Sequence, residues 1–164
     1  LGVRGIMVYD EGLLWILKEL RDKHIIPKDT VFKFSVHCGY ANPASIQFIE
    51  SAGANIVNPV PDLDLPMVAA VRKAVRCPLS IFTDTAGEAG NFVRTYDVQE
   101  FVRIASPVFL KCGSSSQVKQ AHLPSDQELE ERIKQAHQVI YMIKKYYPAA
   151  KRINSKAKIK AIPV

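Results

Sequence analysis

His37, Asp84 and Lys111 each stand at the end of a short apolar run, and their residue types could do chemistry together. A lysine held among apolar walls has a lowered pKa and serves as a Schiff-base nucleophile or a general base. A neighbouring aspartate acts oppositely, keeping the ammonium charged as a clamp for a carboxylate or phosphate. A histidine is the side chain best suited to carry a proton near neutral pH. The sequence leaves these protonation states open. It also leaves open a purely structural network, in which Asp84 pairs with Lys111 and His37 is a hydrogen-bond partner. Lys111, Asp84 and His37 are the candidate catalytic set.

Six further residues make a candidate substrate-binding set. Asp10, Ser35 and Asn58 lie within or at the end of such runs. The segment Thr85 to Arg94 is long for a connection and carries Gly87 and Gly90, so it reads as a mobile flap offering Arg94 to an anion. Gly113 and Ser114 begin a Gly-Ser-Ser-Ser stretch of the kind that binds phosphate through backbone N–H groups. An ordinary surface turn is the alternative for both segments. No GxSxG elbow, HExxH helix or CxxC pair occurs, which disfavours serine hydrolase, zincin and structural zinc-site readings. The sequence names no cofactor.

The elements that must position these residues repeat as strand then helix. Strand signals fall at Gly5–Asp10, Val31–His37, Asn55–Val60, Leu79–Asp84 and Val108–Lys111, each a short run rich in Val, Ile and Phe. The first helix takes its stripe from Leu13, Ile16, Leu17 and Leu20. The second begins at Asn42-Pro43 and stops at Gly53, and the third starts near Asp64 to Pro66 with Val68, Val71 and Val75 on one face. Asp97 with Glu100, and Ser125 with Glu128, have capping-box spacing. The last helix carries Leu129, Ile133, Ala136, Ile140 and Ile143 at helical spacing, and Pro148 closes it.

Five βα units with short connections predict a parallel α/β sheet with right-handed crossovers. An open doubly wound sheet is the alternative, but Asp10-Glu11-Gly12 is not the glycine-rich turn that fold places after its first strand. Polar residues at strand C-terminal ends suit a TIM-type barrel, whose chemistry sits at that mouth. The expectation is therefore the C-terminal five units of such a barrel over 1–150, with upstream units outside this chain, followed by a basic tail over 151–164. Alternation puts Phe32, Phe34, Val108 and Leu110 under the helices, and Lys33, Ser35, His37, Ser80, Phe82, Asp84, Phe109 and Lys111 inside.

Charge and thiols bound the setting. The net charge is +6, but five of the 22 basic residues (Lys151, Arg152, Lys156, Lys158 and Lys160) lie in the tail, leaving 17 against 16 acidic residues before it. A solvated end is the first reading of that tail, and an RNA or acidic partner the second. Cys38, Cys77 and Cys112 are too sparse for a disulfide framework, so the expected setting is reducing and cytoplasmic. No apolar run reaches membrane-helix length. A partial barrel leaves sheet edges open, so a homo-oligomer, or a partner supplying the missing strands, is expected.

Val8 to Leu17, with Asp10, Gly12, Leu13, Leu14 and Leu17, resembles a strand-to-helix signature of the collagenase-like peptidase family. The next unit, Phe34 to His37 followed by Asn42, Phe48 and Gly53, continues the likeness, which covers residues 3–84. The resemblance implies a barrel of that family's kind, whose members act as peptidases or in RNA or quinone hydroxylation. Some branches hold an iron–sulfur cluster on clustered cysteines after the fourth of these strands. Ser80 to Thr85 departs from that pattern, and the resemblance implies a divergent branch without the cluster. The expected function is a barrel enzyme acting on a small anionic or carbonyl-bearing molecule, or on a peptide, as a peptidase-like hydrolase or an aldolase-type lyase. The alternative is a non-catalytic subunit that completes a barrel and contacts RNA or an acidic partner through its tail.

Overall fold

The structure is a computed structural model that describes residues 3–116 and 123–153. Five strands, β1 (Gly5–Val8), β2 (Val31–Phe34), β3 (Ile56–Val57), β4 (Leu79–Phe82) and β5 (Val108–Lys111), alternate with five α-helices. These are α1 (Glu11–Asp22), α2 (Pro43–Ser51), α3 (Leu65–Ala74), α4 (Val98–Ala105) and α5 (Asp126–Tyr146). The helix starts follow from capping chemistry, at Asn42, Asp64 and Ser125 as expected and at Asp10 besides. Asp10, Asn42, Asp64 and Ser125 each accept a hydrogen bond from the backbone N–H three residues on, which satisfies a donor the first turn leaves unpaired. Ser125 and Glu128 form the full reciprocal box. Asp97 does not cap α4 with its side chain, because its carboxylate is taken by Arg94.

All neighbouring strands are parallel, and their spatial order is β1-β2-β3-β4-β5. A sheet that adds strands in chain order without reversal has no switch point. Among the described residues it is wound in one sense, as a portion of a barrel is. One face carries Phe32, Phe34, Val57, Leu79 and Ile81, buried against Leu14, Ile46, Ile49, Val68, Val71 and Phe101 of the helices. Val108 and Leu110 pack on the same core, as alternation predicts. On the opposite face, here called the inner face, Val31, Ile56 and Phe109 form a smaller cluster.

Strand ends depart from the sequence expectation. Three strands stop before the polar residue that was to close them (Asp10, His37 and Asp84), and β3 stops at Val57 short of Val60, because the residues that follow take other backbone duties. Asp10 caps α1, Ser35 caps a 3₁₀ turn at Val36–Cys38, and Pro59 after Asn58 has no N–H to continue a ladder. Val36 and His37 therefore lie in a turn and not on β2, and the strict alternation that put His37 inside ends at Ser35.

The last helix forms where its periodicity predicts but presents its stripe differently. Val139 is buried, whereas Ile133 is 56% exposed and Leu129 and Ile140 are also exposed. The helix packs on α4 and the turn before it, and Gln135 Nε2 donates to Ser115 Oγ at 2.9 Å, so other residues face the protein. Of the tail, only residues 151–153 are described, and Lys156, Lys158 and Lys160 lie outside the described residues. Among those residues no helix is long and apolar enough to cross a membrane.

Candidate functional site

The inner face holds two lysines on different strands. Lys33 of β2 sends Nζ to Ser80 Oγ of β4 at 3.0 Å. Lys111 of β5 lies with Nζ 3.4 Å from Asn58 Oδ1 and 3.9 Å from the centre of the Phe82 ring. Asn58 Nδ2 donates to the Ser80 carbonyl at 2.6 Å, so Lys33, Ser80, Asn58 and Lys111 form one polar chain across three strands. The register explains why they meet. Phe82 pairs with Lys111 and Ser80 with Phe109, and parallel partners present their side chains on the same face.

No carboxylate pairs with either lysine among the described residues. Burial lowers the pKa of Lys111 to about 8, and the Lys33 charge adds to the shift. The Phe82 ring face and Asn58 Oδ1 favour the charged form, so burial and like charge outweigh them. Burial also lowers Lys33. This is the pattern in which an amine becomes a nucleophile near neutral pH.

The other candidate residues are placed elsewhere. Asp84 is 4% exposed, and its two oxygens accept from Gly113 N at 2.8 Å and Ser115 N at 2.6 Å, with Thr83 Oγ1 at 3.2 Å. No ion pair joins it to Lys111 among the described residues; it organises the turn after β5 instead. Gly113 belongs to that turn, in the left-handed region at φ 87°, and a Cβ there would come 2.8 Å from Arg132 Cγ. Its N–H is thus already donated, and Ser114 beside it is half-buried. His37 is exposed in the turn after β2. Asp10 is exposed at the start of α1, and Ser35 is buried with its oxygen 3.4 Å from His37 N.

Arg94 is not free for an anion. Nε and Nη2 donate to Asp97 Oδ2 at 3.1 and 3.0 Å, Nη1 donates to the Pro61 carbonyl at 3.2 Å and to the Leu63 carbonyl, and the guanidinium lies 4.7 Å over the Phe101 ring. The segment before it is tied down as well. Thr85 N donates to the Phe92 carbonyl, Phe92 N to Thr85 Oγ1, and Arg94 N to the Thr83 carbonyl. The glycines there serve a tight turn at Gly90, φ 88°.

The structure thus brings Lys111 and Asn58 together and adds Lys33, Ser80 and Phe82, which the sequence did not single out as site residues. The parity of β2 placed Lys33 inside, so the available signal was a second inward lysine without an acid at matching height.

Thiol chemistry has no support in this geometry. Burial raises the Cys38 thiol, with Glu11 and Asp10 adding to it, and raises Cys77 to about 12. Burial and Asp84 raise Cys112. An iron–sulfur cluster needs several cysteines at one point. Cys77 precedes β4, whereas Cys38 and Cys112 follow β2 and β5, and no group of three His, Cys, Asp or Glu among the described residues is placed to hold a metal ion. These residues do not fit the cluster.

No family model matches this chain, and no curated protein matches it either. A solved structure of a U32 peptidase superposes on 49% of this chain and 31% of its own at a TM-score of 0.41, with 20% sequence identity. The chain therefore spans under a third of that peptidase's length, and no residue role passes from one to the other.

Proposed function

We propose that this barrel-type chain acts on a small anionic or carbonyl-bearing molecule held on the inner face by Lys33 and Lys111. One observation carries the reading: two half-buried lysines, linked through Ser80 and Asn58, have no carboxylate against either of them among the described residues. A buried charge without a partner is costly, and an anionic ligand removes that cost while gaining charge-assisted hydrogen bonds. Lys111 is the nucleophile or clamp, and Lys33 the second cation. His37, exposed at the same end of the sheet, is available to carry a proton. Asp84 supports the turn beside Lys111 and does not pair with it, and Ser114 remains a candidate contact. The collagenase-like peptidase resemblance fits the fold, and two lysines with no carboxylate against them among the described residues favour an anionic ligand.

Thermal melts of the parent, Lys33→Met and Lys111→Met, with and without pyruvate or inorganic phosphate, test this. The anion should raise the parent's Tm in a saturable way and leave both variants unmoved. Met keeps the lysine stem's packing and removes the charge. The folded pKa of Lys111, about 8, lies below its ordinary 10.5, so the unfolded chain holds this proton more tightly. The destabilisation is complete below pH 8 and is lifted as pH rises from 8 to 10.5. Without ligand at pH 7, Lys111→Met should therefore exceed the parent by on the order of 1 kcal/mol, discounted for partial exposure. The difference should vanish by pH 10.5. An anion shift that survives both substitutions refutes the site.

A second reading rests on its own observation. β1 and β5 each have one strand neighbour among the described residues, and apolar side chains stand exposed at both ends of the sheet. Met7 of β1 is 53% and Trp15 of α1 is 61% exposed, and at the far end stands the α5 stripe of Leu129, Ile133 and Ile140. Open edges flanked by apolar surface invite a second copy or a strand-supplying subunit. Sedimentation at micromolar concentration should show species larger than the 18.3 kDa chain; a single monomeric boundary removes this reading.

A further inference from the structure

We propose that Lys111 forms an imine with a 2-oxo acid whose carboxylate is held by Lys33. The proposal rests on the anion-site reading above and extends it from binding to covalent chemistry. Two lysines at one site can divide the work: one keeps its charge as the anion contact and the other gives up its proton to become a nucleophile. The surroundings assign the parts. Lys33 is held by the Ser80 hydroxyl at 3.0 Å, a neutral partner that suits a cation aimed at a carboxylate. Burial lowers the pKa of Lys111 to about 8, and part of its shift comes from Lys33 itself. In a 2-oxo acid the carboxylate is bonded directly to the carbonyl carbon. The two lysines share the inner face and are linked through Ser80 and Asn58, so such a ligand offers one functional group to each.

The step balances without any further reagent. The lone pair of the neutral Lys111 Nζ forms a bond to the carbonyl carbon, and the carbonyl π electrons move onto oxygen. That oxygen takes up one proton from the amine nitrogen and one from solvent, and leaves as water when the C–O bond breaks. The product is a protonated imine on Lys111. Its N–H can donate to Asn58 Oδ1, now 3.4 Å from Nζ, and its positive charge lies over the Phe82 ring. Both contacts favour a cation, so they stabilise the protonated imine after Nζ has lost its own charge.

Trapping tests it. The full chain is incubated with pyruvate and sodium borohydride, and intact mass and peptide mass spectra are recorded for the parent, Lys33→Met, Lys111→Met and Lys111→Arg. The expected product is one adduct per chain, heavier by pyruvic acid less one oxygen atom, mapped to Lys111. It should be absent from both Lys111 variants, and Lys33→Met should reduce its yield about tenfold at subsaturating pyruvate, the loss expected for one charge-assisted contact. Lys111→Arg keeps the charge, so it should retain the pyruvate-induced rise in Tm without forming an adduct. Adducts scattered over exposed lysines, or an adduct at Lys111 that ignores Lys33→Met, overturn the assignment. A pyruvate-induced rise in Tm with no adduct overturns the imine and leaves the anion site standing. Neither a rise nor an adduct removes both.

Discussion

Asp84→Ala is expected to cost about 3–5 kcal/mol of stability, because it strips two backbone donors of their acceptor inside the protein. The carboxylate sits just past β4 and reaches across to the turn after β5, where Gly113 N and Ser115 N meet it at 2.8 and 2.6 Å. Water cannot replace it easily at 4% exposure. The turn has little freedom to rearrange either, since Gly113 lies at φ 87° with Arg132 packed where a side chain would go. Asp84→Asn keeps the shape but turns an amide NH2 toward one of the two donors, so it should cost about half as much. For a domain of this size the alanine variant should lose about 10 °C in Tm. Hydrogen exchange should quicken at the Gly113 and Ser115 amides while the amides of β2 stay protected. A loss under about 1 kcal/mol would show that these donors find other acceptors.

Arg94→Ala should be nearly as damaging, about 3–4 kcal/mol, and should leave anion binding intact. The guanidinium joins the Pro61 and Leu63 carbonyls to Asp97, over the ring of the fully buried Phe101. Its removal leaves two carbonyls and a largely buried carboxylate without their donors. Lysine cannot restore this, because a single ammonium does not reproduce the planar fork. A cycle with Asp97→Asn isolates the pair: once Asp97 is neutral, the cost of losing Arg94 should fall by about 1–2 kcal/mol. A folded Arg94→Ala protein of parental stability that no longer responds to phosphate would return Arg94 to the ligand.

Lys111 was recognisable from its position at the end of a Val-Phe-Leu run, because a strand's period of two depends on nothing beyond the strand. The same logic put Phe32, Phe34, Val108 and Leu110 under the helices, where they are found. Asp84 and Arg94 have partners other than those the sequence suggested, for a shared reason. Each has a side chain that a ligand could use, and each is instead held in part by backbone groups from 29 or more residues away, Gly113 for Asp84 and Leu63 for Arg94. Nothing in the local sequence announces such a partner. His37 was lost to strand length, since β2 ends at Phe34 and a 3₁₀ turn follows, so counting by twos went too far.

Local sequence set the order of elements, the capped starts of α2, α3 and α5, the faces of β2, β4 and β5 that meet the core, and the inward position of Lys33 and Lys111. Those properties follow from local rules of period, capping and turn chemistry, which act within a few residues. Packing between distant segments set which polar residues share an environment. The parallel register set Phe82 beside Lys111 and Ser80 within reach of Lys33, while Asp84 was drawn away to unpaired amides in a neighbouring turn. The physical reason is that a buried polar group takes whatever partner the packed backbone leaves nearest, and that choice is made between segments far apart in the chain.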